Sequence, residues 1–255
     1  MENIIINKRT YLLGGKIRGS MNNKINRATK LAYQFEYLDN KFRGIIERGI
    51  ATNTEHSRCA LALLLMMHTG IRVGNEGSAE GYYTKPHPHN KDQTIKFAQT
   101  YGLTTLQWDH LRMTKNMLQM EFVGKKQVDN VFTLYDKQIL EALKTLCKVE
   151  GYWEFPNCKE VVFDITVYML TKFIKKYVGR GYSPKDFRCM KANLLAADYI
   201  HDNFKKVELK KEFKPQVKAM FEFVAEKLNN TPSVCKKSYV GNELIELAET
   251  VFLTK

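Results

Sequence analysis

Cysteine is scarce and scattered. The five, Cys59, Cys147, Cys158, Cys189 and Cys235, are odd in number and form no CxxC pair, so neither a disulfide framework nor a structural zinc site is expected. Long apolar runs are also missing: the longest, Ala60 to Met67, has eight residues with Arg58 just upstream. A membrane-spanning helix needs about 20, so no membrane crossing is expected. The opening MENIIINKRT lacks a long apolar core followed by a small-residue cleavage site, and no secretory signal is readable. An intracellular location is the expectation. Acidic residues fall short too, with 27 Asp plus Glu against 40 Lys plus Arg and a net charge of +13. That excess favours polyanionic partners, nucleic acid being the commonest.

What is present suffices for a folded core. At 255 residues and 44% apolar composition the chain can bury about three quarters of its unfolded surface, which excludes disorder as the main state. Arg27 to Ala51 carries Leu31, Phe35, Leu38, Phe42, Ile45 and Ile46 at helical spacing and predicts one amphipathic helix. A second helix is expected from Asn53 or Thr54 through the apolar run to Gly70. Gly77 to Tyr101 is polar, holds Lys85-Pro86-His87-Pro88-His89-Asn90, and reads mainly as a loop. From Met117 to Leu134 the pattern alternates every two residues and breaks at Gly124-Lys125-Lys126-Gln127, as in a β-hairpin with lysines at its tip. Helices are expected at Asp136 to Val149, Asp164 to Val178, Pro184 to His201, Pro215 to Leu228 and Glu243 to Phe252. Pro184, Pro215 and Pro232 each stand where a first helical turn tolerates proline. The fold class is mainly α with a small β-hairpin or sheet (α+β).

Four constellations carry chemistry. Thr69 to Glu76 sets Arg72 between two glycines, where a close backbone can deliver a guanidinium fork to phosphate oxygens; its plain structural reading is a helix C-cap with a solvated arginine. The hairpin tip offers Lys125 to a DNA groove and to a leaving oxygen. Ser183-Pro184-Lys185-Asp186-Phe187-Arg188 reads as N-cap, first helical position and capping box, with Lys185 and Arg188 where free N–H groups and the helix dipole favour an anion. Thr231-Pro232 starts a short helix that carries Tyr239 about two turns on. A phenol attacks phosphorus when cations favour its phenolate or a base takes its proton. His87-Pro88-His89 lacks a completing ligand pair, so no metal is expected. Neither Gly14-Gly15 nor Gly179-Arg180-Gly181 fits a phosphate-cradling nucleotide loop, and ATP is not implied.

In this order the constellations resemble the catalytic domain of type IB DNA topoisomerases, the poxvirus and bacterial branch in particular. The resemblance rests on Thr69 to Glu76, Tyr101-Gly102-Leu103-Thr104-Thr105-Leu106, Phe122 to Lys125, Lys185-Asp186-Phe187-Arg188, and Asn230-Thr231-Pro232 through Ser238-Tyr239-Val240. It implies that Tyr239 attacks a DNA phosphodiester and becomes joined to the 3′ phosphate. It implies phosphate-binding roles for Arg72 and Arg188, a general acid at Lys125, and assistance from Lys185. Asn230 matches the position that donates a hydrogen bond to a non-bridging oxygen. The implied activity is relaxation of supercoiled duplex DNA by a monomer, with no cofactor, metal or nucleotide.

The chain departs from the pattern in places. Residues 1–26 read as a short N-terminal arm where the family has a separate clamping domain, and 27–255 as the catalytic domain. Cys189-Met190-Lys191 stands where relatives usually have a Thr-Trp pair, and Lys126 beside Lys125 leaves the general acid open between the two. Tyrosine recombinases share the Arg, Lys, Arg, Tyr chemistry but usually carry His where Lys185 stands and His or Trp near Asn230. A basic DNA-binding module without catalysis fits the charge equally well, yet has no need of all four residues.

Overall fold

The computed structural model describes residues 22–80, 84–87, 90–96, 99–147, 153–155 and 157–254. Gly14-Gly15 and most of the 1–26 arm lie outside them. The architecture is built around the apolar run. Helices α1 (Asn22–Tyr33), α2 (Phe35–Gly49) and α3 (Glu55–Thr69) come first, and Cys59 to Met67 of α3 are each 0–1% exposed. A helix apolar on all sides is stable only when covered on all sides. Helix α2, the sheet and three later helices provide that cover. The ends of α3 are chemically marked. Thr54 Oγ1 accepts the Ser57 N–H at 3.2 Å, and Gly70 closes the helix in the left-handed conformation, φ 71°.

The single helix expected from Arg27 to Ala51 is two, broken at Gln34 (φ −88°, ψ 5°). The apolar spacing runs through the break because Leu31 and Leu38 feed the same core. After the one-turn α4 (Glu76–Ala79) the expected loop proves to be largely a ribbon: β1 (Thr84–His87) pairs antiparallel with β2 (Asn90–Lys96), Thr84 opposite Lys96. Pro88 and His89 lie outside the described residues. A four-stranded antiparallel sheet follows in the order β5-β4-β3-β6, from β3 (Leu111–Met113), β4 (Leu118–Gly124), β5 (Val128–Leu134) and β6 (Trp153–Glu154). The hairpin is β4–β5, with Gly124 opposite Val128 at its tip. Leu118, Met120 and Phe122 point into the core while Glu121 faces out.

Helices α5 (Lys137–Cys147), α6 (Val167–Tyr177), α7 (Pro184–Asn203), α8 (Lys210–Lys227), α9 (Pro232–Ser238) and α10 (Asn242–Phe252) complete the chain. Pro215 is not in a first turn: α8 starts at Lys210, where Glu212 and Phe213 donate to the Leu209 carbonyl and buried Phe213 draws the extra turn onto the core. Two apolar clusters result. Phe187 and Met190 of α7 belong to the larger one, around α3, and Ala192, Ala196 and Ile200 to the smaller one, with α8, α9 and α10. Arg188 therefore stands where the two clusters meet. No described helix is long and apolar enough to cross a membrane.

Candidate active site

The start of α7 is fixed by local chemistry. Asp186 accepts the Ser183 N–H at 2.8 Å and its Oγ at 2.6 Å, and pairs with Arg27 Nε at 2.9 Å. Asp186 is 1% exposed, so its part in the Lys-Asp-Phe-Arg segment is to orient the helix. That orientation leaves Lys185 exposed and turns Arg188 inward, to 3% exposure. Arg188 Nη1 donates to the Gly70 carbonyl and Nη2 to the Leu228 carbonyl, the latter at 2.8 Å. One guanidinium thus ties together the end of α3, the start of α7 and the end of α8. Gly70 has no room for a side chain, since a Cβ there would lie 2.5 Å from Leu228 Cδ2. Two residues beyond Gly70 stands Arg72, and two beyond Leu228 stands Asn230.

The backbone around Arg72 is held by the Tyr101 to Leu106 segment. Leu103 N–H donates to the Arg72 carbonyl and Thr104 N–H to the Val73 carbonyl, both at 2.8 Å, and Thr104 Oγ1 adds a second bond to Val73 at 2.9 Å. A Cβ on Gly102 would lie 2.5 Å from Gly74 Cα, so glycine is required for the two strips to close on each other. The same segment reaches the hairpin, because Tyr101 N–H donates to the Val123 carbonyl at 2.8 Å.

Tyr239 ends α9, whose start is capped by Thr231 Oγ1 on the Val234 N–H. Its backbone is fixed from below by Asn193, which is 1% exposed. Asn193 Nδ2 donates to the carbonyls of Tyr239 (2.9 Å) and Cys189 (2.7 Å), and Oδ1 accepts the Gly241 N–H at 3.0 Å. Sequence reasoning missed Asn193; the available signal was one amide on a helix face otherwise buried and mostly apolar. The half-buried Tyr239 places its ring centroid 5.0 Å from Arg188 Cζ. Burial, then the charge of Arg72, lowers the Arg188 pKa to about 10, while Tyr239 and Cys235 act in the opposite sense. The group stays cationic at neutral pH. Among the described residues no carboxylate pairs with either arginine. A guanidinium beside a phenol, with a second near enough for its charge to act on the first and no carboxylate paired to either among the described residues, forms a place where a phosphate can be stabilised.

Asn230 adds a further donor. Its Oδ1 accepts the Thr231 N–H at 3.0 Å, which orients the amide, and its buried Nδ2 has no partner among the described residues. A buried donor without a protein partner calls for an explanation, and a ligand oxygen is one. Arg72, Arg188, Asn230 and Tyr239 are thus carried by segments joined through Arg188 and Asn193. Lys125 and Lys185 are not drawn in. Both are exposed, and among the described residues neither makes a hydrogen bond or ion pair with the other four. Lys126 and Gln127 turn the hairpin tip in left-handed conformations, φ 67° and 58°. Just past Arg188, Met190 joins the core and Lys191 packs its stem under Gly70; burial pushes its ammonium pKa down, with Asp198 opposing.

Comparison with known proteins identifies the family. The family described as "Eukaryotic DNA topoisomerase I, catalytic core" matches residues 16–251. The chain belongs to that family. It is 27% identical over 157 residues to "DNA topoisomerase 1B" of Acanthamoeba polyphaga mimivirus, a match covering 58% of this chain and 47% of that protein. It is 24% identical over 245 residues to "DNA topoisomerase I" of Monkeypox virus, covering 95% of this chain and 69% of that protein. Against "DNA topoisomerase 1B" of Vaccinia virus (strain Copenhagen) the identity is 23% over the same length and shares. The chain thus spans about half the length of the mimivirus relative.

Proposed function

We propose that this chain relaxes supercoiled duplex DNA without metal or ATP, acting as a monomer with residues 27–255 as its catalytic unit. Tyr239 Oη attacks a backbone phosphorus, an O–P bond to the 3′ side forms, and the bond to the 5′ oxygen breaks. The phenol gives up one proton and the departing 5′ oxygen gains one, so the step is balanced. Arg72 and Arg188 stabilise the charge that gathers on the non-bridging oxygens, and the orphan Nδ2 of Asn230 donates to one of them. Lys125 gives the proton to the leaving oxygen, with Lys185 assisting. The phosphotyrosyl bond keeps the energy of the bond it replaced. After rotation of the free 5′ end, the reverse attack reseals the strand.

The observation that carries this reading is Arg188, held beside the Tyr239 ring and within reach of the charge of Arg72, with no carboxylate paired to either arginine among the described residues. The test is relaxation of negatively supercoiled plasmid in EDTA without ATP, by the native chain and by Tyr239→Phe. Relaxation by the first and none by the second is expected, with covalent capture of DNA lost in the variant. Capture that survives in Tyr239→Phe overturns the nucleophile.

A further inference from the structure

The proton donor of the proposed reaction sits on a hairpin, while the phosphate-binding groups sit on helix ends, so something must hold the one in register with the other. The two strands of the hairpin are tethered separately. On β4, the Val123 carbonyl accepts from Tyr101 N–H, and Tyr101 leads directly into the Leu103-Thr104 pair that holds the backbone of Arg72 and Val73. On β5, the Val131 carbonyl accepts from Asn229 Nδ2 at 3.2 Å. Strand β5 is the edge of its sheet, and Val131 is exposed there. An edge carbonyl has no further strand to pair with and takes its partner from elsewhere.

Asn229 is placed for this by its backbone. It is left-handed, φ 47°, a conformation that asparagine tolerates better than most residues. It lies between Leu228, whose carbonyl binds Arg188, and Asn230, the orphan donor. Each hairpin strand is therefore tied to the chain segment that bears one phosphate-binding group: β4 to that of Arg72, β5 to that of Asn230. The first tie is backbone to backbone. The second depends on one side chain.

We propose that Asn229 is a positioning residue, whose amide sets the hairpin lysine against the scissile phosphate. This rests on the reading of that lysine as general acid. The test is single-turnover cleavage of two duplexes, one with an ordinary 5′-oxygen leaving group and one with sulfur at that bridging position, which departs without a proton donor. Asn229→Gly keeps the left-handed backbone and removes only the amide; Asn229→Asp keeps the shape and turns the donor into an acceptor facing a carbonyl. Both variants are expected to slow the oxygen substrate by about 10- to 100-fold, the scale of a roughly 1 Å misplacement, and to leave the sulfur substrate nearly unchanged. Equal slowing of both substrates by Asn229→Gly marks a DNA-binding or merely structural role and overturns the inference, as does no slowing of either. Lys125→Ala and Lys126→Ala on the same two substrates separate the questions. If neither lysine variant is rescued by sulfur, the general-acid reading fails. If one is rescued and Asn229→Gly is not, only the positioning role fails.

Discussion

Arg188 and Lys125 carry the same charge and are read into the same reaction, yet they are housed in opposite ways. Arg188 is 3% exposed, bonded to two carbonyls from distant segments and set under the Tyr239 ring. Lys125 is exposed at a hairpin tip and makes no hydrogen bond or ion pair among the described residues. The difference matches what the proposed mechanism asks of each. A group that stabilises charge on phosphate works best when it cannot reorient. A proton donor must reach an oxygen that arrives with the DNA, and a projecting hairpin presents it there. The buried half of the site is consequently also part of the fold, and the exposed half is not.

On the buried side one substitution is expected to cost both chemistry and stability. In the proposed mechanism Arg188→Ala removes a phosphate ligand, and covalent capture should fall by roughly 10²- to 10³-fold as for other transition-state donors. It also leaves the Gly70 and Leu228 carbonyls unpaired, at about 1–3 kcal/mol for each buried group. Urea unfolding and capture of nicked duplex are measured on the same preparation. Arg188→Lys should recover little of either, because one ammonium lacks the planar fork that spans both carbonyls. Normal stability in Arg188→Ala would mean that the guanidinium does not join the two apolar clusters.

On the exposed side the effects come apart. Lys125→Ala is expected to slow oxygen-substrate cleavage by roughly 10²- to 10⁴-fold while unfolding stays within about 0.5 kcal/mol of the native chain. Lys126→Gly is the companion test. Lys126 holds φ 67°, so glycine relieves a backbone cost of about 1 kcal/mol or more and returns some of it as chain entropy. A small gain in stability with unchanged cleavage assigns the proton to Lys125. Loss of cleavage in Lys126→Gly, rescued by a sulfur leaving group, assigns it to Lys126.

The same division decides what was legible in the sequence. Caps and periodicity are local, and they showed the helix from Thr54 to Gly70, the hairpin with Gly124 to Gln127 at its tip, and the start of α7 at Ser183-Pro184. The break at Gln34 escaped because the apolar spacing continues across it. Strands β1 and β2 escaped because Lys, Pro, His and Asp occupy positions where a readable strand alternates apolar residues. At the site, the arginine between glycines and the tyrosine following Thr-Pro were each weak signals alone, and only their order along the chain, as a resemblance, gave them roles. Asn193 and Asn229 did not stand out. Each binds backbone carbonyls far away in sequence, a function that leaves no pattern near the residue itself. The Gly-Leu-Thr-Thr-Leu segment was legible only as part of a resemblance, and the structure supplies its physical reason, the bonds to Arg72 and Val73.

The smallest expected effect concerns the root of the hairpin rather than its tip, and sharpens the contrast between them. Just past β5, Asp136 binds Arg43 through both carboxylate oxygens, at 3.1 and 2.6 Å, and caps the Ile139 N–H at 3.0 Å. Arg43 is shared with Asp39 at 2.6 Å, which in turn meets His68 at 2.7 Å. Burial pushes both carboxyls up, but the hydrogen bonds outweigh it: Asp136 is held below its ordinary value by Arg43 and the Ile139 N–H, Asp39 by His68 and Arg43. A carboxyl depressed in the folded state contributes stability that is fully present above its unfolded value, about 4, and is lost as pH falls through the depressed one. Asp136→Asn keeps the cap on Ile139 and discards the charge. It should cost about 1 kcal/mol at neutral pH, the lower range for hydrogen bonds to charged groups with some solvent access. That difference should shrink as the pH drops below 4, where the native carboxylates are themselves protonated. Urea midpoints for the two proteins from pH 7 to pH 3 give the answer. A constant offset across that range would mean that packing, not charge, anchors the hairpin root.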